Sequence, residues 1–307
     1  MNRKAGAAVV AAIIVAAVPW FDFMISVANR PIRIRTIISH RGNGFGETEN
    51  TVAAIVKAHE HGFPVEIDVR LSSNGTAHLM HDETLERTTR CTGAIAKKTD
   101  AELAACGVNT LHEALATGAT LELHPKIMNP AIMNELKTAV AGVQDKARVI
   151  LFINSGGGVT AQEIKEAFAD HVIMWPVDTY KSAKLVWKAF NQTKDMYSVS
   201  MHTLWGSPRL LRWITHRTRK LGVWFTCDKG CRIKPNRWMV MGMPITHAEV
   251  DDPLSFESTD ASPTMPEVVY RSSAVGLVLA LAAGYLLRGC IDSEKEPPYA
   301  ALNNFFE

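Results

Sequence analysis

Acidic and imidazole side chains are concentrated between His40 and His81, and these residue types can bind a cation and transfer protons. Glu66 and Asp68 are two residues apart in an apolar segment, and in a β-strand this spacing puts both side chains on one face. Two carboxylates side by side repel each other unless a cation lies between them. The sequence therefore predicts a cation site at Glu66 and Asp68.

The Asn74-Gly75 dipeptide supplies a second argument for this cluster. It is the strongest short-range signal for a β-hairpin, because a type I′ turn needs positive φ at both central residues. A two-residue turn at this point would place Asp68 directly opposite His81. Since directly opposed residues share a face of the hairpin, we expect His81 to lie beside Asp68.

His40 closes the preceding predicted strand and is followed by Arg41. If this strand neighbours the strand of Glu66 and Asp68, one pocket contains two imidazoles, two carboxylates and a guanidinium. A single histidine of this kind is more often a surface or structural residue. The whole constellation instead favours a functional site.

The elements that must position these side chains alternate between strand and helix. Strands are predicted at 37–40, 65–69, 77–80, 120–124, 149–153, 172–175, 197–201, 223–226 and 242–246. Helices are predicted at 51–62, 100–106, 111–117, 130–143, 160–169, 181–190 and 208–221. This alternation indicates a parallel sheet with right-handed crossovers. If 77–80 is only the return arm of the hairpin, eight units remain, and they predict an α/β fold, a TIM-type (β/α)8 barrel.

The composition restricts the function classes. The chain has 307 residues, with 33 Lys and Arg against 31 Asp and Glu, so there is no electrostatic case for a nucleic-acid partner. Five cysteines, an odd number, do not indicate a disulfide framework. Cys227 and Cys231 are four residues apart, which leaves open a single disulfide in an oxidising compartment or two free thiols.

The motifs of this region, taken in order, resemble the glycerophosphodiester phosphodiesterase family. The motifs that carry the resemblance are H-R-G (40–42), E-N-T (49–51), E-x-D-V (66–69), H-D (81–82), L-x-R-T-T (85–89), T-G (92–93), T-L-H-E-A-L (110–115) and L-E-L-H-P-K (121–126). The clear resemblance covers about 40–126, and a faint one extends to about 250. Because several motifs occur in the same order and spacing, the resemblance is specific.

The resemblance implies hydrolysis of a glycerophosphodiester to an alcohol and glycerol phosphate, with one divalent cation. An acid–base pair suits this reaction, because a base must activate the nucleophile and an acid must protonate the leaving alkoxide. The fixed positive charge of arginine and lysine suits contacts to the phosphate. The implied site residues are His40 and His81 as the acid–base pair, Arg41 and Lys126 as phosphate contacts, and Glu66 and Asp68 as metal ligands.

The chain departs from the family pattern at the third acidic ligand, two residues before Lys126, where it has His124. Glu122 lies two residues earlier on the same strand face, one layer deeper. Three interpretations remain open: His124 is a ligand, Glu122 substitutes for it, or the metal binds weakly. The cation would be calcium, magnesium or manganese, while His124 favours a softer ion. A second departure is Thr246-His247, where the family tends to have Thr-Asp.

Two other functions are compatible with these residues. One is a lysophospholipase D that acts on lysophospholipids in the membrane. The other is a catalytically inactive barrel that binds a lipid headgroup or a membrane partner, an alternative that His124 and His247 keep open. The presence of His40 and His81 together with both carboxylates favours an enzyme. The sequence gives no indication of the oligomeric state.

The amino-terminal segment is apolar. Residues 5–21 carry no charge and the apolar character resumes as far as 28, which reaches the roughly 20 residues of a membrane span. Trp20 and Phe21 suit an interfacial position. We predict an uncleaved membrane anchor, with a cleaved signal peptide and a buried core helix as the alternatives.

A second uncharged stretch, 273–287, lies between Arg271 and Arg288 and predicts a carboxy-terminal transmembrane helix, because no polar face can be drawn on it. The catalytic domain would then lie between two spans, and we expect it on the non-cytosolic side. The predicted organisation is an anchor over 1–29, a basic linker over 30–36, the barrel over 37–250, a linker over 251–272, a transmembrane helix over 273–289 and a polar tail over 290–307.

Overall fold

The computed structural model of the chain describes residues 34–177, 179–191, 194–200, 208–215, 217, 221–225 and 245–257. Within these residues the strands are β1 (Thr36–His40), β2 (Val65–Leu71), β3 (Ala77–Leu79), β4 (Leu121–Pro125), β5 (Val149–Phe152), β6 (Val172–Pro176), β7 (Met196–Ser200), β8 (Leu221–Phe225) and β9 (Ile245–Val250). The predicted strands agree with these to within one or two residues, except at β9.

The sheet closes into a barrel. The order of hydrogen-bonded strands is β1-β9-β8-β7-β6-β5-β4-β2, and β1 also pairs with β2. All eight of these strands are parallel to their neighbours. β3 pairs antiparallel with the end of β2 and lies outside the closed ring. The predicted TIM-type barrel is therefore confirmed.

Side chains alternate between the interior of the barrel and the surrounding helices, as the period of a β-strand requires. On β1 to β8, outside the hairpin arm β3, residues with even numbers point inward, where an apolar cluster is formed by Ile38, Ile150, Phe152, Met174 and Met196. On β9 the register shift against β8 reverses this parity, so Glu249 points inward opposite Ile38. Residues with odd numbers, such as Ile67, Leu123 and Val199, are completely buried on the outer face. Full burial of one such side chain is worth about 1.5–3 kcal/mol. Glu66, Asp68 and Glu122 also have even numbers, so they share the interior with the apolar cluster.

The helices in the described residues are α1 (Val52–Glu60), α2 (Asp100–Ala105), α3 (Leu111–Ala116), α4 (Pro130–Ala141), α5 (Ala161–Ala167), α6 (Tyr180–Val186), α7 (Pro208–Thr215) and α8 (Pro253–Glu257). Five of them begin after a threonine whose hydroxyl accepts a hydrogen bond from a backbone N–H of the first turn. Such caps satisfy donors that the helix cannot pair itself, and they fix where each helix starts.

The register predicted for the β2–β3 hairpin is wrong by one residue. Arg70 lies opposite His78, and the Met80 N–H donates to the carbonyl of Asp68 at 3.0 Å. The loop therefore has three residues, 73–75, closed by the Gly75 N–H on the Ser72 carbonyl at 3.1 Å. Asp68 is opposite Met80, and His81 lies one residue beyond the ladder.

The last strand was predicted too early in the chain, at 242–246, whereas β9 runs over Ile245–Val250. Its carboxyl end is at Glu249 and Val250, so Thr246 and His247 lie inside the strand and not at its end. The regular structure continues past 250 with α8.

The structure also contains a disulfide that the sequence analysis did not foresee, between Cys91 and Cys106. Cys227 and Cys231 lie outside the described residues, as do both predicted membrane spans and the polar tail. None of the helices in the described ranges has the length and apolar character that a membrane crossing requires.

Candidate active site

Polar side chains from three adjacent strands meet at the carboxyl end of the barrel. β1 ends in His40, β2 carries Glu66 and Asp68, and β4 carries Glu122 and His124. His40 pairs in register with Glu66 and Glu66 with Glu122, while Asp68 pairs with His124. Inward-facing residues at this end of a barrel are the usual location of chemistry. The sequence prediction that these strands are neighbours is confirmed.

A tight turn follows β1 and brings Arg41 back over the site. Arg41 and Gly42 both have left-handed backbone conformations, with φ of 56° and 74°. A Cβ on Gly42 would lie 2.7 Å from the Cβ of Ala54 on α1, so only glycine fits against the helix. This turn allows the Arg41 backbone N–H to donate to Oε2 of Glu66 at 3.1 Å.

Asp68 is the most strongly paired carboxylate of the site. Its Oδ2 accepts from Nδ2 of Asn50 at 2.8 Å and lies 3.1 Å from Nε of Arg41, while Oδ1 lies 3.1 Å from Nζ of Lys126. Burial alone would raise the pKa of Asp68, but Lys126, His124 and Arg41 together hold it well below its usual range. Asp68 is therefore an anion despite its burial.

Glu66 lies beside this anion and has fewer hydrogen-bond and ion-pair partners than Asp68. Burial, and then the charge of Asp68, raise the pKa of Glu66 to about 8. Its Oε1 accepts no hydrogen bond, and Nδ1 of His124 is 3.3 Å away. Burial and the charge of Lys126 lower the pKa of His124 to about 4, so at neutral pH the imidazole is uncharged and can bind a metal. The ligand atoms of Glu66, Asp68 and His124 all lie within 4.8 Å of one another.

His40 lies between two carboxyl groups of the carboxy-terminal segment. Its Nδ1 is 2.5 Å from Oδ1 of Asp251, and its Nε2 is 3.7 Å from Oε1 of Glu249. Burial, followed by the charge of Glu66, raises the pKa of Glu249 well above its usual range. Sequence reasoning missed both carboxyl groups. The last strand had been predicted to end at 246, before Glu249, so the inward position of Glu249 was not recognised.

His81 is held from outside the barrel by a chain of ion pairs. Its Nδ1 lies 2.7 Å from Oδ1 of Asp82, whose Oδ2 accepts from Nε of Arg87 at 2.5 Å. Arg87 also donates to Glu49 at 2.7 Å, and Glu49 accepts from Arg41 at 3.2 Å. The hydrogen bond from Arg87 lowers the pKa of Asp82 to about 2, so Asp82 stays ionised beside the imidazole.

The environment of His81 favours its neutral form. Burial lowers its pKa, although the hydrogen bond to Asp82 acts in the opposite direction. The charges of Asp68, Lys126 and Arg41 also act on the pKa of His81, so it lies near these residues. A cavity of about 140 Å³ opens beside it, and its wall includes threonines that precede α1, Thr48 and Thr51, and threonines that follow His81, Thr88 and Thr89. The structure therefore assembles all seven of the site residues named from the sequence, although the predicted hairpin register was wrong.

Comparison with known proteins identifies a family. Residues 40–203 match the model of the glycerophosphoryl diester phosphodiesterase family. The chain is 46% identical over 59 residues to human glycerophosphodiester phosphodiesterase 1, a segment that covers 19% of this chain and 18% of the human protein. It is 42% identical over 60 residues to the glycerophosphodiester phosphodiesterase of Caldanaerobacter subterraneus, covering 19% and 25% of the two chains. These matched segments thus span a quarter or less of the curated relatives.

Solved structures share the fold over most of the chain. A glycerophosphoryl diester phosphodiesterase from Parabacteroides distasonis superimposes with a TM-score of 0.61 and 21% identity, covering 78% of this chain and 90% of that one. A phosphodiesterase from Oleispira antarctica, in complex with the product sn-glycerol-3-phosphate, gives a TM-score of 0.58 and 20% identity, covering 75% and 98%.

Proposed function

The chain belongs to the glycerophosphoryl diester phosphodiesterase family, and from that premise we propose that it hydrolyses glycerophosphodiesters to an alcohol and glycerol phosphate. The observation that carries the proposal is the arrangement of His40 and His81. Each imidazole has Nδ1 against a carboxylate. The charge of His40 acts on Glu66 and that of Asp68 acts on His81, so both imidazoles lie near these carboxylates. The product named for the Oleispira antarctica structure agrees with this reaction.

The donor set fits a divalent cation. Glu66 and Asp68 are buried carboxylates in contact with the same imidazole, and Glu66 Oε1 and Asp68 Oδ1 accept no hydrogen bond. Two adjacent carboxyl groups of this kind need a counter-charge between them. When bound at Glu66, Asp68 and His124, a cation would neutralise negative charge on the phosphoryl oxygens. We include dependence on one divalent cation in the proposed function.

The proton transfers are assigned from the environment of each histidine. Because burial favours the neutral form of His81, its Nε2 can accept the proton of the attacking water. His40, with Nδ1 held by Asp251, would give the proton on Nε2 to the alkoxide as the bond from phosphorus to the leaving oxygen breaks. Arg41 and Lys126 border the same centre and would bind the phosphate through their fixed charge.

The substrate class extends to lysophospholipids in this proposal. The two apolar segments predicted to span a membrane would hold the barrel next to lipid, and we place the barrel on the non-cytosolic side. An inactive barrel that only binds a headgroup is the competing function. The pairing of both histidines with carboxylates favours catalysis, since a binding protein has no need to orient two imidazoles.

The test is an assay of the full-length chain against glycerophosphodiesters with different alcohols and against lysophospholipids. Glycerol phosphate and the released alcohol are measured with and without a chelator. We expect turnover of at least one glycerophosphodiester, loss of turnover with the chelator, and recovery when calcium, magnesium or manganese is returned. Binding of these ligands without any product would support the inactive barrel instead.

A further inference from the structure

The family pattern has a carboxylate where this chain has His124, and a carboxylate from another strand can take its place. We propose that Glu249, from the last strand of the barrel, is a ligand of the same cation that Glu66 and Asp68 bind. The inference rests on the cation dependence in the proposed function. It concerns a residue beyond 203, where the match to the family model ends.

The topology brings Glu249 to the site from the opposite side to His124. β9 pairs with β1 and β1 pairs with β2, with Glu249 opposite Ile38 and Glu66 opposite His40. The ligand atoms of His40, Glu66 and Glu249 lie within 4.8 Å of one another. Glu66 belongs both to this group and to the group with Asp68 and His124, so it lies between the two sides.

The carboxyl groups around Glu66 lack the partners that buried carboxyl groups require. Oε1 of Glu249 lies 3.7 Å from Nε2 of His40, which is too long for a hydrogen bond. Glu66 accepts one, from the backbone N–H of Arg41. Both cationic side chains of the site are already engaged by Asp68.

Glu122 provides an independent observation at the same place. It is completely buried beside Glu66, and neither of its side-chain oxygens has a hydrogen-bond partner. A carboxyl group in this situation costs several kcal/mol unless a partner is supplied. Burial, followed by the charge of Glu66, raises the pKa of Glu122 well above its usual range. Glu122 is therefore a further buried carboxyl group without a partner, beside the Glu66 that both groups of ligand atoms share.

A third carboxylate changes the expected metal. With Glu66, Asp68 and His124 alone, the imidazole would favour zinc or another softer ion. Glu249 adds oxygen donors, which calcium, magnesium and manganese prefer. The centre would then keep the hard-metal preference of a carboxylate set despite the histidine at position 124.

The test measures metal binding directly, by calorimetric titration of the full-length chain with manganese and with calcium. Glu249→Gln keeps the shape of the side chain and removes its charge, and we expect the dissociation constant to rise by at least roughly 10-fold, the lower end for residues around a metal. Glu166 is exposed on α5, and Glu166→Gln should leave the dissociation constant unchanged. His124→Glu added to Glu249→Gln should restore affinity by restoring a carboxylate. Both variants carry glutamine at position 249. If Glu249→Gln weakened metal binding only by disturbing the fold, adding His124→Glu would not restore the affinity.

The outcomes separate this inference from the proposed function. If Asp68→Asn abolishes manganese binding and Glu249→Gln leaves it unchanged, Glu249 is not a ligand, while the hydrolysis assay decides the function independently. Absence of binding to the wild type would also overturn the inference. If Glu249→Gln weakens binding but no substrate is turned over, the ligand assignment holds and the proposed function is wrong.

Discussion

At the scale of single residues, the two histidines of the site are oriented in the same way by different parts of the chain. His40 is held by Asp251, which follows the last strand, and His81 by Asp82, its neighbour in sequence. A carboxylate at Nδ1 fixes the ring and leaves Nε2 for proton transfer. Each imidazole therefore has Nε2 available for the proton transfers that we propose.

The first prediction concerns this pair. His40→Ala and His81→Ala should each lower kcat by at least roughly 10²-fold, as expected when a general acid or base is lost. Folding should be preserved, because both residues lie at the ends of strands. The measurement is kcat at saturating substrate, with near-ultraviolet circular dichroism as the control. Wild-type turnover in either variant would remove that histidine from the mechanism.

The second prediction concerns Asp251 as a positioning residue. Asp251→Asn removes the charge at Nδ1 of His40, and its amide can hold the ring in the wrong tautomer, so kcat should fall by at least roughly 10-fold with little change in KM. Asp252→Asn is the matched control. Its side chain accepts from the Ser255 N–H at the start of α8, and asparagine caps a helix as well as aspartate does. A fall in kcat that is equal in both variants would point to a general loss of structure.

At the scale of elements, the hairpin shows where sequence reasoning reaches its limit. Period-two alternation correctly placed Glu66 with Asp68 and Glu122 with His124 on inward faces. The prediction of a two-residue turn from Asn-Gly was wrong, because residues of the loop also form contacts outside the hairpin. The Ser72 hydroxyl donates to Asp100 at the start of α2, and Asn74 accepts from the Asp100 N–H at 2.9 Å. These contacts favour a three-residue loop over the local preference for two.

The last strand was misplaced for a different reason. β9 reads I-T-H-A-E-V, and its inward positions are polar because they line the site. A strand with polar residues on its buried face gives no apolar alternation, so its end could not be located from the sequence. Glu249 and Asp251 were missed for this reason. The strands that lack site residues were predicted to within one or two residues, and β5 with V-I-L-F to within one.

The third prediction concerns the disulfide that closes the segment after His81. Cys91 and Cys106 are 15 residues apart and pack against a cluster that contains Met80 and Leu85. Replacing both cysteines by serine should lower the free energy of unfolding by about 3 kcal/mol, the loop-closure value for this separation. Urea unfolding of the full-length chain measures it. A reducing agent should destabilise the wild type and leave the double variant unchanged. Equal unfolding free energies of the two proteins would contradict the prediction.

At the scale of the whole molecule, the disulfide indicates the kind of cellular compartment in which the barrel lies. Disulfides form and persist in oxidising compartments and are rare in the cytosol. Cys91 and Cys106 lie in the barrel, between the two apolar segments predicted to span a membrane. An oxidising location for the barrel agrees with the proposed non-cytosolic side.

The last prediction concerns the topology that follows. Two spans, at about 5–28 and 273–289, put both termini on one side of the membrane and the barrel on the other. Positive charge does not decide the orientation, because equal numbers lie on the two sides: Arg3, Lys4, Arg288 and Lys295 outside the pair of spans, and Arg30, Arg33, Arg35 and Arg271 between them.

With a tag on each terminus, protease added to sealed cells should leave both tags intact, because we expect both termini to face the cytosol. A thiol reagent that cannot cross the membrane should reach Cys91 and Cys106 only after a reductant has opened the disulfide, without lysis. If one tag is cut and the other spared, the number of spans is odd, and either the first segment is a cleaved signal or the second does not cross. Cleavage of both tags would reverse the orientation and place the barrel in the cytosol.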